Sequence, residues 1–442
     1  MCRPGFFFLL WILAFPIGAA PRLSAEDELA SQADSRLFSR GEYLARAADC
    51  AACHTASPNA PFAGGVGLAT PLGAVYSTNI TPDPKTGIGN YSFEDFDRAV
   101  RQGIAKGGRR LYPAMPYPSY AKLSEDDVRA LYTYFLQGGV DAIARESRES
   151  DIPWPLDMRW PLAVWNGLFL DEKRFEPRAD KSERWNRGAY LVQALAHCGT
   201  CHTPRGIAFQ EIALDERQEG FLAGGSLGGW DAYNITSHPK AGIGGWSDEE
   251  LLRYLRTGST PGKAQAAGPM GEAVQHSFRY LKDEDLQAIV DYLRSVPPVD
   301  DGRPKARYEY GAPANDVVKL RGTPVRQPGQ AGPDPQHEGA RLFLGNCASC
   351  HHWSGEGAAD DFYPALMGNT VLGAQSPTNL LQVILNGVSR GDEASPDAAF
   401  MPAFHDSLDD AQIASLANYL FERFGNPQVK VNAEDVARLR PR

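Results

Sequence analysis

The chain has 442 residues, 43% of them hydrophobic and 22% charged, and a formal net charge of −10. That balance belongs to a soluble globular protein long enough for two to four domains. Its acidity argues against nucleic acid as a partner.

The first segment departs from this composition. A short basic start, Met1-Cys2-Arg3, precedes an apolar run from Phe6 to Ala20, and small residues then lead to Glu26-Asp27. Residues 1–25 are predicted to be a secretory signal, cleaved near Ala20 or Ala25. The alternative is an uncleaved anchor helix. The run is short of the roughly 20 residues that a span needs, and Pro16 interrupts it. Cys2 precedes the apolar run, which disfavours a lipoprotein.

A first unit is predicted over residues 36–145. A helix opens at Gly41-Glu-Tyr-Leu and runs into CAACH, Cys50 to His54. The Gly- and Pro-rich run NITPDPKTGIGNYS, residues 79–92, reads as a loop. Met115 follows in PAMP, and a second helix, LSEDDVRALYTYF, begins at Leu123. Ser124 is a good N-cap followed by acidic residues, and Val128, Leu131 and Phe135 recur at helical spacing.

The stretch IPWPLDMRWPLAVWNGLFL, residues 152–170, matches no other part of the chain. Pro161 suits the first turn of a helix on which Leu162, Trp165 and Phe169 share a face. The stretch has too few continuous apolar residues to cross a bilayer. It is expected to present an apolar patch to a membrane surface or a partner protein. The alternative is that it packs between two units.

The second unit, predicted over 180–300, repeats the first. Gly188-Ala-Tyr-Leu leads into CGTCH, Cys198 to His202, and NITSHPKAGIGGWS follows at 234–247. Met270 lies in GPMG, and LKDEDLQAIVDYL starts at Leu281. A linker of about 300–337, rich in Pro, Gly and charge, is expected on the surface. The third unit, predicted over 334–427, is shorter and lacks the 79–92 type of loop. It keeps Gly339-Ala-Arg-Leu, CASCH at Cys347 to His351, Met401 in FMPAF, and LDDAQIASLANYL from Leu408 with Asp409 as N-cap. Each final helix places a tyrosine eleven residues after its leading leucine: Tyr134, Tyr292 and Tyr419. The expected fold is all-α, three small helical units in tandem.

Every cysteine after Cys2 belongs to one of the three Cys-x-x-Cys pairs, and a histidine directly follows each pair. Cysteines at i and i+3 on a helical turn point to the same side. They can add to the two vinyl groups of one porphyrin, and the next histidine can reach the iron, so Cys-x-x-Cys-His reads as a c-type haem attachment site. A zinc site would need two such pairs close together, and these are about 150 residues apart. A redox dithiol would need one pair and no histidine. Three covalent haems are therefore expected, on Cys50 and Cys53, Cys198 and Cys201, and Cys347 and Cys350.

His54, His202 and His351 each supply one axial ligand. Met115, Met270 and Met401 recur just before the last helix of each unit, beside Pro or Gly. Loops of that length can carry a thioether to the other haem face. Met158 and Met367 have no counterparts and read as packing, and His276 is the main rival to Met270. His/Met ligation raises a haem's potential relative to bis-histidine. A closed iron suits one-electron transfer and disfavours peroxidase-type catalysis at the metal.

These units, with "STNITPDPKTGIGNYSFEDFDRAVRQGI", "YPAMPYPSYAKLSEDDVRALYTYF" and "FMPAFHDSLDDAQIASLANYLF", resemble the tri-haem cytochrome c subunit of bacterial membrane-bound dehydrogenases. That group includes the cytochrome subunits of quinoprotein alcohol dehydrogenase and of flavin-dependent gluconate, sorbitol and fructose dehydrogenases. The resemblance implies three tandem class I cytochrome c-like domains with the ligand pairs His54/Met115, His202/Met270 and His351/Met401. It also implies a periplasmic location at the inner membrane. A large catalytic subunit carrying pyrroloquinoline quinone or FAD would deliver electrons, and ubiquinone or another respiratory acceptor would receive them. Family members commonly attach to the membrane near the C-terminus, whereas the tail GNPQVKVNAEDVARLRPR is polar here. No nucleotide-binding fingerprint or hydrolase elbow occurs, so no substrate-oxidising site is expected in this chain. A stand-alone multihaem carrier linked to a terminal oxidase is the competing reading.

Overall fold

A computed structural model of the chain describes residues 25–311, 338–359, 362–391 and 399–441, with side chains from residue 35 onward. The predicted signal up to residue 24, and residues 312–337 of the predicted linker, lie outside the described residues.

Each repeat follows one course. A leading helix (Ala25–Ala47, Glu183–Tyr190 or Glu338–Asn346) is followed by a short helix carrying the cysteine pair or its second member (Cys50–His54, Gly199–His202 or Ala348–His351). A middle helix comes next (Phe93–Gln102, Asp248–Thr257 or Thr378–Asn386), then a closing helix (Glu125–Leu136, Asp283–Ser295 or Asp410–Phe424). Ser124 and Asp409 do cap their helices, accepting from the backbone N–H of Asp127 and Gln412. The loops 79–92 and 234–247 carry no regular structure until Ser92 and Ser247 cap the middle helices.

The leading and closing helices cross at one glycine per repeat. A Cβ built on Gly41, Gly188 or Gly339 would lie 2.0, 1.9 or 2.3 Å from a carbonyl oxygen of the closing helix, that of Ala130, Ala288 or Ser415. The Cβ of Tyr134, Tyr292 or Tyr419 touches the same spot. The recurrent glycine and tyrosine of the sequence are thus the two sides of one helix crossing.

The structure departs from the all-α expectation in a small way. Among the described residues are four two-stranded antiparallel hairpins, of which Gly67–Thr70 with Gly73–Tyr76 and Val388–Arg390 with Ala399–Met401 are examples. Each is an isolated pair of at most four residues a side, too short to show a strand period in the sequence. The leading helices also do not run straight into the cysteines. They stop at Asp49 (φ 54°) and His197 (φ 38°), whose left-handed backbone turns the chain before Cys50 and Cys198.

The repeats divide two against one. A single hydrophobic core joins the first and second repeats, running from Leu44, Phe96, Val128 and Phe135 to Leu191, Leu195, Leu286 and Tyr292. The third has its own core around Phe343, Leu381, Phe421 and Phe424. Val429, Val431 and Val436 join that core. The polar C-terminal tail is therefore folded onto the third repeat as helix Ala433–Leu439, and Arg440 pairs with Asp410 at 2.7 Å.

Two exchanged tyrosines clasp the fused pair. Tyr43 of the first repeat donates to Asp285 of the second at 2.6 Å, and Tyr190 of the second donates to Asp127 of the first at 2.5 Å. Each aspartate also accepts from the arginine of its own repeat, Arg187 on Asp285 at 2.7 Å and Arg40 on Asp127 at 2.8 Å. The third repeat has Glu338, Arg341 and Gln412 at the positions of the Arg, Tyr and Asp. Its contact with the second repeat is polar: Asn379 exchanges two hydrogen bonds with the backbone of Asp231 at 2.9 and 2.8 Å, and Gln382 donates to Gly229 O at 2.9 Å.

Candidate haem sites

The three motif histidines are held alike. Nδ1 of His54 lies 2.7 Å from Thr78 O, that of His202 lies 2.6 Å from Tyr233 O, and that of His351 lies 2.9 Å from Pro364 O. A carbonyl can only accept, so Nδ1 carries the proton and Nε2 keeps its lone pair for a metal. Burial holds all three imidazoles below their usual pKa, which favours the neutral, ligating form. In the first two repeats the anchoring carbonyl belongs to the residue just before Asn-Ile-Thr. Asn79 and Asn234 fold that turn by accepting from the N–H of Thr81 and Thr236. The repeated NIT was legible as a loop, but not as the device that orients the histidine.

The six cysteines are unpaired although each couple is two residues apart. Burial, with the neighbouring Asp49 adding to it, pushes the Cys50 and Cys53 thiols up to about 12, and burial does the same to Cys198 and Cys347. Zinc thiolates and redox dithiols need the opposite shift. Buried neutral thiols beside a histidine with a free Nε2 fit covalent attachment of haem. Tyr120 donates to Ala48 O at 2.7 Å and packs edge-on against His197, so the segments that lead into the first two attachment helices approach each other at the junction.

Comparison with known proteins agrees with this geometry. The family model of cytochrome c matches residues 38–138, 186–297 and 336–422. The chain belongs to the cytochrome c family. It is 43% identical over 435 residues to the gluconate 2-dehydrogenase cytochrome c subunit of Pantoea cypripedii, covering 97% of this chain and 94% of that one. It is 43% identical to the fructose dehydrogenase cytochrome subunit of Gluconobacter japonicus, covering 91% and 82%. It is 39% identical to the cytochrome c subunit of the quinone alcohol dehydrogenase of Gluconobacter oxydans, covering 97% and 87%. The cofactor of this cytochrome c is haem c, three groups, one for each Cys-x-x-Cys-His.

The cytochrome's three recurrent methionines lie in unlike backbone. Met115 sits in a turn before the short helix Tyr117–Tyr120, Met270 in helix Gly268–His276, and Met401 at the end of strand Ala399–Met401. Met115 and Met270 pack against the shared core. Met158 is exposed and Met367 half-buried. His197 lies at the junction with its ring edge-on to Tyr120 at 5.6 Å, and burial pulls it down to about 4. Together with Asp49 it is the junction residue that the spacing argument missed; both directly precede the first cysteine of a motif, which was the available signal.

The Trp-rich stretch forms helix Pro161–Phe169. The face expected to be exposed is turned inward. Trp165 donates to Ala208 O at 2.8 Å and stands 6.3 Å from the Tyr117 ring and 5.5 Å from Phe169. Trp160, Val164 and Leu168, spaced four apart, face outward instead. With Trp154, Ile207 and Phe209 they leave large apolar side chains exposed. Asn166 bonds Tyr117 and Gln102 O and holds the helix in this rotation together with Trp165. Among the described residues no helix is long and apolar enough to cross a membrane.

Proposed function

We propose that this cytochrome c is the electron-transfer subunit of a periplasmic dehydrogenase complex. Its haems take electrons singly from a catalytic subunit that oxidises an alcohol or sugar acid with pyrroloquinoline quinone or FAD. They pass them to ubiquinone or another respiratory acceptor. The observation that carries the reading is near full-length similarity to cytochrome subunits named for three different substrates, gluconate, fructose and alcohol. One cytochrome type serving several substrates supports substrate choice in the partner. Similarity to a cytochrome subunit named for quinone supports the acceptor.

The haem-bearing units are 36–145, 180–300 and 334–427, mainly helical around each haem, with Met401 presented by a short strand. The thioether bonds are made by Cys50 and Cys53, Cys198 and Cys201, and Cys347 and Cys350. The iron ligands are His54 with Met115, His202 with Met270, and His351 with Met401. A bound haem supplies a one-electron iron couple. The chain orients each imidazole through a backbone carbonyl and closes the site against water with the methionine segment. Met270 and its rival His276 share one helix six residues apart, roughly 9 Å in rise and about 120° in rotation, so only one can face a given haem. Helix Gly268–His276 also packs on the first attachment helix and on hairpin Val388–Arg390, which supports the second haem as the link between the other two.

The outward apolar face of residues 154–168 rests on the membrane surface. Arg109, Arg110 and Arg159 lie beside it, Arg159 stacked on Tyr112 at 3.7 Å and bonded to Arg110 O. This local cationic rim, in a chain of net charge −10, suits anionic lipid headgroups around inserted tryptophans.

Purification of the tagged protein from its membrane tests the reading. A large flavin- or pyrroloquinoline quinone-containing subunit should accompany it in stoichiometric amount. Recovery of the cytochrome alone, still rapidly reduced by the respiratory chain, would favour the stand-alone carrier. The reduced protein should not bind carbon monoxide.

A further inference from the structure

Arg307 opens a 3-10 turn, Arg307–Glu309, on the chain that leaves the second unit. It is 6% exposed. Nη1 donates to Ala241 O at 2.9 Å and Nη2 to Asn234 O at 3.4 Å, and the guanidinium lies over the Tyr233 ring, 4.5 Å from its centroid. Tyr233 is the residue whose carbonyl anchors His202. Nε of Arg307 has no hydrogen-bond partner. Among the described residues no carboxylate lies within ion-pair distance of it, and neighbouring Asp301 is engaged by Arg303 at 2.8 and 2.9 Å. Asp301 acts on Arg307 only from beyond ion-pair distance and is shared with Arg303, so the buried cation is incompletely neutralised and its field extends into the site.

Burial, with Arg303 adding repulsion, brings the guanidinium down only to about 10, so it stays charged at neutral pH. It stands over Tyr233, whose carbonyl holds His202 Nδ1, so its charge lies on the histidine side of the second site. Reduction adds an electron to a haem, and a fixed positive charge in a poorly screened interior stabilises that state.

We propose that Arg307 is a buried cation that raises the reduction potential of the second haem above the value set by its ligands. The inference rests on haem attachment at Cys198 and Cys201. Arg307 acts through space and through the Tyr233 carbonyl; it is a positioning and tuning residue.

Potentiometric titration of the intact three-haem protein tests this. Met270→His should sharply lower one of the three midpoints and so mark the wave of the second haem. Arg307→Gln should lower that same midpoint and leave the other two in place. Arg307→Lys should keep it near the wild-type value at pH 7. It should then let it fall as pH rises and the buried lysine loses its proton, a fall absent from the wild type. A folded Arg307→Gln protein with unchanged midpoints overturns the proposal. So do equal shifts in the Gln and Lys variants at pH 7, because packing would then be responsible. Should Arg307→Gln lose its second haem, the Lys variant decides alone: no extra pH-dependent fall overturns it. A wild-type protein with fewer than three haems would instead refute the three-haem reading.

Discussion

The first two repeats share one hydrophobic core, whereas the third encloses its own and, among the described residues, meets the second through polar contacts such as those of Asn379 and Gln382. Yet all three hold the motif histidine the same way, by a carbonyl on Nδ1. The helix crossing at Gly41, Gly188 and Gly339 is also common to all. The haem-holding geometry is therefore set inside each repeat. What varies is how the repeat is stabilised, and the Arg–Asp–Tyr set varies with it. Where the sequence offers Arg40, Tyr43 and Asp127, or Arg187, Tyr190 and Asp285, two repeats interlock. Where it offers Glu338, Arg341 and Gln412, the repeat keeps a core of its own.

Fragments should break this comparison most severely. Residues 335–442, expressed with haem attachment, should fold as a one-haem domain with native helical circular dichroism. Residues 36–145 treated alike should not, because much of their core lies in the second repeat. A native-like spectrum from the first fragment would mean that the shared core is dispensable. Next in size, Asp285→Ala should destabilise the fused pair by about 2–3 kcal/mol, since it leaves Arg187 and Tyr43 without their acceptor. Calorimetry should show the transition of the pair moving down while that of the third repeat stays.

Gly339→Ala should cost about 1–3 kcal/mol by overpacking its crossing, and should move only the third repeat's transition. Gly188→Ala should move only the pair's. A single transition that shifts in both variants would contradict two independent cores. The smallest effect is that of Tyr43→Phe, about 1–2 kcal/mol, again confined to the pair. Acid should reproduce it. Burial pushes the Asp285 carboxyl up, but Arg187 and Tyr43 outweigh that and hold it below its usual pKa. A carboxylate depressed in the folded state contributes stability above its unfolded pKa, about 3.9, and loses it as pH falls through the folded pKa. The transition of the pair should therefore drop below about pH 4, and less so in Asp285→Asn.

Much of the site was legible because it is local. Cys-x-x-Cys-His lies within five residues, and a covalent cofactor forces that spacing. The glycine and tyrosine of each repeat were visible as recurrences, and the structure supplies their contact. The clasp was not legible. Tyr43 and Asp285 are 242 residues apart, and the tyrosine reads locally as one more amphipathic helical position. Helix Pro161–Phe169 was placed correctly from Pro161, but its rotation was not. It is apolar on both faces, and the inward face is tied down by contacts far apart in sequence, those of Trp165 with Ala208 O and of Asn166 with Tyr117 and Gln102 O. Arg307 sits near the start of the stretch read as surface linker, where composition hides a buried charge.

The shared core also orders assembly in time. The chain emerges at its site of folding N-terminus first, and domains generally fold as units in that order. The first repeat is complete in sequence at about residue 145, but Leu286, Ile289 and Tyr292, which finish its core, follow much later. Until then CAACH remains in an open chain, accessible to whatever attaches haem. CASCH has no such delay: once the tail through Val436 is made, its core can close at once. The first haem to be encoded thus has the longest period for attachment, and the last has the shortest.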